Sequence, residues 1–130
     1  MKISRKILSY AKYACMFLCI STKPSLAIST EMLAEACKSK NTHNAGFCIG
    51  YIGGIYEGIL LNADYENQLR SVKGKSIKPP PWCVPEGTQY TEMSSEYLKF
   101  LDTYPNFIDN SVYAEISVYA FFSDVYGCQK

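Results

Sequence analysis

Apolar residues fall into four helix-spaced stretches, separated by a polar loop, a proline-rich break and a short turn. The first stretch opens at Ser29 and Thr30, both good N-caps, and runs through Glu31, Met32, Leu33, Ala34, Glu35 and Ala36 to Cys37. Acidic residues in its first turns suit the positive end of the helix dipole. Lys38 to Gly46 is polar and ends Asn44-Ala45-Gly46, which reads as a loop.

The second stretch, Phe47 to about Leu69, is apolar and unusually rich in glycine. Gly50, Gly54 and Gly58 are spaced four residues apart and line one face of a helix. Each costs roughly 1 kcal/mol relative to alanine in a helix interior. The stripe therefore predicts close packing, within a bundle or across a dimer. Lys73 to Trp82 includes Pro79-Pro80-Pro81, which forbids helix and favours an extended segment.

A third helix is expected from about Thr88 to Thr103, stopped by Pro105. Its apolar positions, Tyr90, Met93, Tyr97, Phe100, Leu101 and Tyr104, keep helical periodicity. The fourth should start near Asn110 and run to Tyr126, with Gly127 just past its end. Val112, Ile116, Val118, Phe121, Phe122 and Val125 leave it little polar surface, as befits a central helix or part of a dimer interface. The fold class expected is all-α: a small four-helix bundle made of two helical hairpins.

Residues 1–27 change the charge picture. They carry Lys2, Arg5, Lys6, Lys12 and Lys23 and no acidic residue, then a short apolar run from Tyr13 to Ile20 and the small residues Ser25 and Ala27. This is the pattern of a cleavable signal peptide; the apolar run is far short of the ~20 residues needed to span a bilayer. The division is a signal peptide at 1–27 and one helical domain at 28–130. That domain keeps eight basic and twelve acidic residues, a net charge of −4. No basic face for nucleic acid is expected, and no membrane insertion after cleavage.

Export bears on Cys37, Cys48, Cys83 and Cys128, because it places them in an oxidising compartment. Four cysteines permit three pairings. Cys37 ends the first helix and Cys48 opens the second, so a hairpin brings them together. Cys83 precedes the third helix and Cys128 follows the fourth, so antiparallel packing sets those ends side by side. The expected bonds are Cys37–Cys48 and Cys83–Cys128. Zinc is disfavoured, since the close cysteine pairs of structural sites are absent. An even set of bonded cysteines leaves no nucleophile for the lone His43. No phosphate loop follows the glycines, and no carboxylate pair has acid–base spacing. Neither an enzyme nor a cofactor is expected.

The run Phe47-Cys48-Ile49-Gly50-Tyr51-Ile52-Gly53-Gly54-Ile55-Tyr56-Glu57-Gly58 is followed by Trp82-Cys83-Val84-Pro85-Glu86-Gly87. Tyr97-Leu98, Tyr104-Pro105 and an apolar helix ending in cysteine come next. Together with the leader, this resembles the Rap/Tai family of type VI secretion immunity proteins. The resemblance implies a periplasmic, all-helical antitoxin, often a homodimer, whose partner is a cognate peptidoglycan amidase effector with a Cys–His catalytic pair. Inhibition by such a protein would be occlusion of the amidase cleft. Two sets of contacts are candidates: Lys75, Lys78 and Trp82 on the proline-rich segment, and Tyr104, Asn106, Phe107 and Asp109 on the turn before the last helix. The alternative class is a small, helical, disulfide-bonded periplasmic chaperone of acid stress.

Overall fold

The computed structural model describes residues 27–128; the signal-peptide expectation for 1–27 lies almost wholly outside them. Five helices follow in order: α1 Thr30–Lys38, α2 Thr42–Val72, α3 Tyr90–Thr103, α4 Asn106–Asp109 and α5 Ala114–Val125. No strand occurs among the described residues; two isolated β-bridges, Ser29 with Tyr113 and Trp82 with Gly127, pin the ends of the bundle together.

Each helix start has a chemical reason. Ser29 accepts a hydrogen bond from the backbone N–H of Met32 at the head of α1. Asn41 does the same for His43, so α2 begins at Thr42, five residues before the expected start at Phe47. The polar stretch read as a loop is mostly the first turn of this helix. At α3, the Glu92 carboxylate reaches back to the backbone N–H of Gln89 at 3.0 Å. The turn after Pro105 winds into the single turn of α4, and the last long helix starts at Ala114, not at Asn110.

Both disulfides are Cys37–Cys48 and Cys83–Cys128, with Cα separations of 5.0 Å and 4.8 Å. The first staples the α1–α2 hairpin. The second ties the segment before α3 to the end of α5, where Cys83 N–H also donates to the Tyr126 carbonyl at 2.7 Å.

The core lies where α1, the first half of α2, α3 and α5 meet: Leu33, Ile52, Met93, Tyr97, Leu101, Val118, Phe121 and Phe122 are all buried there. Burial of each such side chain contributes roughly 1.5–3 kcal/mol. Gly53, a residue the sequence pattern did not single out, provides the close approach: the Tyr90 ring lies 3.3 Å from where its Cβ would stand. Gly50, Gly54 and Gly58 meet nothing within 4 Å there, so packing inside this chain does not explain their stripe. Gly127 is needed for space: a Cβ would come 2.5 Å from the Ser123 carbonyl oxygen.

Beyond Ile59, α2 buries nothing fully. It continues to Val72 as an arm of the bundle, in a helix of 31 residues.

Candidate functional site

Three surfaces could receive a partner. The turn between α3 and α5 begins at Tyr104, an exposed ring stacked at a tilt on Phe100 with centroids 4.9 Å apart. Asn106 and Asp109 are exposed on α4, whereas Phe107 is half-buried and packs on the same Phe100 ring at 5.4 Å. Phe107 is thus the foot of the turn, and Tyr104, Asn106 and Asp109 are its outward groups. Backbone bonds fix the shape: Ile108 N–H to Pro105 O at 2.8 Å, Ser111 N–H to Ile108 O at 3.0 Å and Val112 N–H to Phe107 O at 3.3 Å. Ser111 adopts φ 52°, the left-handed conformation that lets the chain leave the turn. Thr30 then clamps the exit, its N–H and its hydroxyl both donating to the Val112 carbonyl at 2.8 Å.

The proline-rich segment is a strap laid back along the arm. The Asn67 side-chain amide pairs with both backbone groups of Lys78, accepting from its N–H at 2.9 Å and donating to its carbonyl at 3.0 Å. Arg70 Nε donates to Ser76 O at 2.8 Å. Lys75 and Lys78 are exposed on this strap. Trp82 is not available with them: it is 3% exposed and stacked on Phe122 with centroids 4.6 Å apart. The bridge to Gly127 and the neighbouring Cys83–Cys128 bond draw the indole inward, so it anchors the strap to the core. The two candidate sets stay on separate supports, the turn on α1 and α3, the strap on α2 and the end of α5.

The third surface joins two stretches that the sequence offered separately as packing or dimer faces, the glycine stripe and the last helix. Gly54, Ile55, Gly58 and Ile59 of α2 and Glu115, Ile116 and Tyr119 of α5 line an open groove of about 520 Å³. Ile116 and Tyr119 are each about half exposed, at 52%. The signal available was an excess: the last helix has more apolar positions than one inward face can hold.

Four phenols are shifted upward. Burial pushes Tyr97 up to about 12. Burial, then a hydrogen bond to Glu96, raises Tyr126 further. The bond from its hydroxyl to Glu57 raises Tyr90, and burial with the nearby Glu115 charge raises Tyr51. All four are neutral donors near pH 7, so these groups lend themselves to hydrogen bonding. Among the described residues no cluster of His, Cys, Asp or Glu could hold a metal ion, and no helix is long and apolar enough to cross a membrane.

Residues 29–128 match the family of Rap1a immunity proteins. The chain belongs to this family. No curated protein and no solved structure matches it. Membership in the Rap1a family makes the surfaces above candidates for binding a secreted effector, and it favours an immunity protein over the acid-stress chaperone. With the two disulfides it also points to an exported protein.

Proposed function

We propose that this Rap1a-family protein is a periplasmic immunity protein that acts as a homodimer. Its target is a peptidoglycan amidase delivered by a type VI secretion system, and it blocks that enzyme by filling the catalytic cleft. The observation that carries this reading is the family match across 29–128, which takes in both disulfides and all three surfaces. The part that enters the cleft is the turn from Tyr104 to Val112. Its backbone is hydrogen-bonded before any partner arrives, so little ordering entropy is lost on binding. Tyr104 supplies an aromatic anchor of the kind that concentrates binding energy. Asn106 and Asp109 supply polar groups beside it. Lys75 and Lys78 form a secondary basic contact on the strap.

The test is inhibition of peptidoglycan hydrolysis by an amidase of the Cys–His class encoded in the same genome. The protein should inhibit it at a ratio near one to one. The double variant Asn106→Ala, Asp109→Ala changes only exposed side chains of the turn and should lose inhibition while keeping the parent melting temperature. Full inhibition by that variant would move the contact away from the turn. No inhibition by the parent protein would remove the amidase as the target.

A further inference from the structure

The arm of α2 presents large apolar side chains to solvent. Leu61 and Tyr65 are 72% and 60% exposed, and Leu69 and Val72 are exposed with them. Their intervals of four, four and three residues place them on one helical face. Followed back into the body of the bundle, the same face becomes Gly58, Gly54 and Gly50, at which a side chain would meet only open space. Gly54 and Gly58 are the floor of the apolar groove whose wall is Ile116 and Tyr119. One half of a single helix carries knobs, and the other half carries the hole.

We propose that this face closes on the same face of a second copy, with the two α2 helices antiparallel about a two-fold axis between Ile59 and Leu60. This rests on the homodimer reading and specifies its interface. In that register Leu61 of one copy lies over Gly58 of the other, Tyr65 over Gly54 and Leu69 over Gly50, while Val72 meets the exposed ring of Phe47. The single relation seats all four large side chains. Leu61 and Tyr65 enter the groove between α2 and α5.

Three observations select a second copy as the occupant. The knobs and the glycines have identical spacing on one helix, which is the self-complementarity that a two-fold interface requires. Charge agrees: residues 61–81 carry four cations and two acids, whereas the other described residues carry three cations and ten acids. An antiparallel pairing sets the arm of each copy, with the basic strap laid along it, beside the acidic body of the other; a parallel one would oppose like with like. Extent agrees as well. Stable interfaces bury roughly 800 Å² per partner, and the stripe and groove together run along most of a 31-residue helix, about 46 Å long.

The test uses the protein recovered oxidised from the cell envelope, with spin labels on cysteines placed singly by Asn62→Cys, Glu66→Cys and Ser71→Cys. In the antiparallel register, separations between copies should rise steeply along this series, by roughly 25 Å in all, at 1.5 Å of rise per residue counted from both helices. Light scattering should give a dimer, and Leu61→Asp with Tyr65→Asp, both at exposed positions, should give a folded monomer. A dimer with equal separations at all three sites, or one untouched by the double variant, would overturn this register and leave the homodimer standing. A parent protein that is monomeric at high concentration would overturn both.

Discussion

The phenol oxygen of Tyr97 on α3 lies 2.7 Å from the hydroxyl oxygen of Ser117 on α5, and both side chains are fully buried. The Thr30 hydroxyl oxygen of α1 lies 2.9 Å from the same Ser117 oxygen, and Ser117 donates onward to the Ala114 carbonyl. Three helices thus share one polar knot in an otherwise apolar interior. Removing one member leaves another without its partner, which costs about 1–3 kcal/mol. Tyr97→Phe should therefore lower stability by that amount, as read from urea denaturation at neutral pH.

The same phenol sets an alkaline limit. Burial raises Tyr97 to about 12 in the folded protein, from an ordinary value near 10. The unfolded chain releases this proton first, so the contribution is complete below pH 10 and is lost as pH climbs through 12. A shift of this size corresponds to about 2–3 kcal/mol. Tyr126, raised by burial and by Glu96, adds to the loss in the same direction. Urea midpoints should hold between pH 8 and 10 and fall steeply by 11.5, and Tyr97→Phe should fall less over that interval. A parent midpoint unchanged at pH 11.5 would refute the assignment.

The two disulfides should differ in worth. Cys83–Cys128 spans 45 residues and Cys37–Cys48 spans 11. In the chain-entropy account they restrain the unfolded chain by about 4 and 2.8 kcal/mol. Paired replacement by alanine of Cys83 and Cys128 should lower the melting temperature further than replacement of Cys37 and Cys48. Calorimetry of both variants would decide it, with the burial of Cys48 working against the expected order.

Trp82 and the strap lysines separate packing from contact. Trp82→Ala removes a buried indole stacked on Phe122 and Tyr56, and should cost about 3–5 kcal/mol. It should also open the strap to proteases between Lys73 and Lys78. Lys75→Ala with Lys78→Ala, at exposed positions, should leave the melting temperature within about 2–4 °C of the parent, in keeping with surface changes of less than ~0.5 kcal/mol. Thermal melts and limited trypsin digestion of the three proteins would test both expectations.

Glycine gives the last contrast. Gly46 lies in α2 with open space around its missing Cβ, so Gly46→Ala should stabilise by about 0.5–1 kcal/mol. At Gly53 the Tyr90 ring occupies that space, and Gly53→Leu should destabilise by about 1–3 kcal/mol. Equal effects in melting experiments would mean that the close approach is not real.

Much of this architecture could be read from residue order because local and long-range signals agree. Ser29 capping, Pro105 as a stop and the spacing of Met93, Tyr97, Phe100 and Leu101 each mark an element and its buried face together. Pairing of the cysteines followed, since Cys37 near the end of α1 and Cys48 in the early turns of α2 face each other across a short connection, while Cys83 and Cys128 flank the α3–α5 unit. The early start of α2 escaped because Asn44-Ala45-Gly46 has the composition of a turn, and only the Asn41 cap reveals the helix. Trp82 escaped for a different reason. Three prolines advertise a solvated segment, while the bridge that draws the indole inward joins it to Gly127, far along the chain. The groove beside Ile116 depends on how α2 and α5 cross, which no local pattern encodes.

The bonds Cys37–Cys48 and Cys83–Cys128 lie in succession, neither loop enclosing the other. The chain is therefore two covalent rings joined through the arm and its strap, and neither ring can close while the thiols are reduced. In the proposed periplasmic role, a molecule of this design is unfinished where it is synthesised and complete only once it reaches an oxidising compartment. In the proposed role the antidote is armed by the same oxidising space in which the poison acts, so a cell can stock it early without any separate switch to hold it idle.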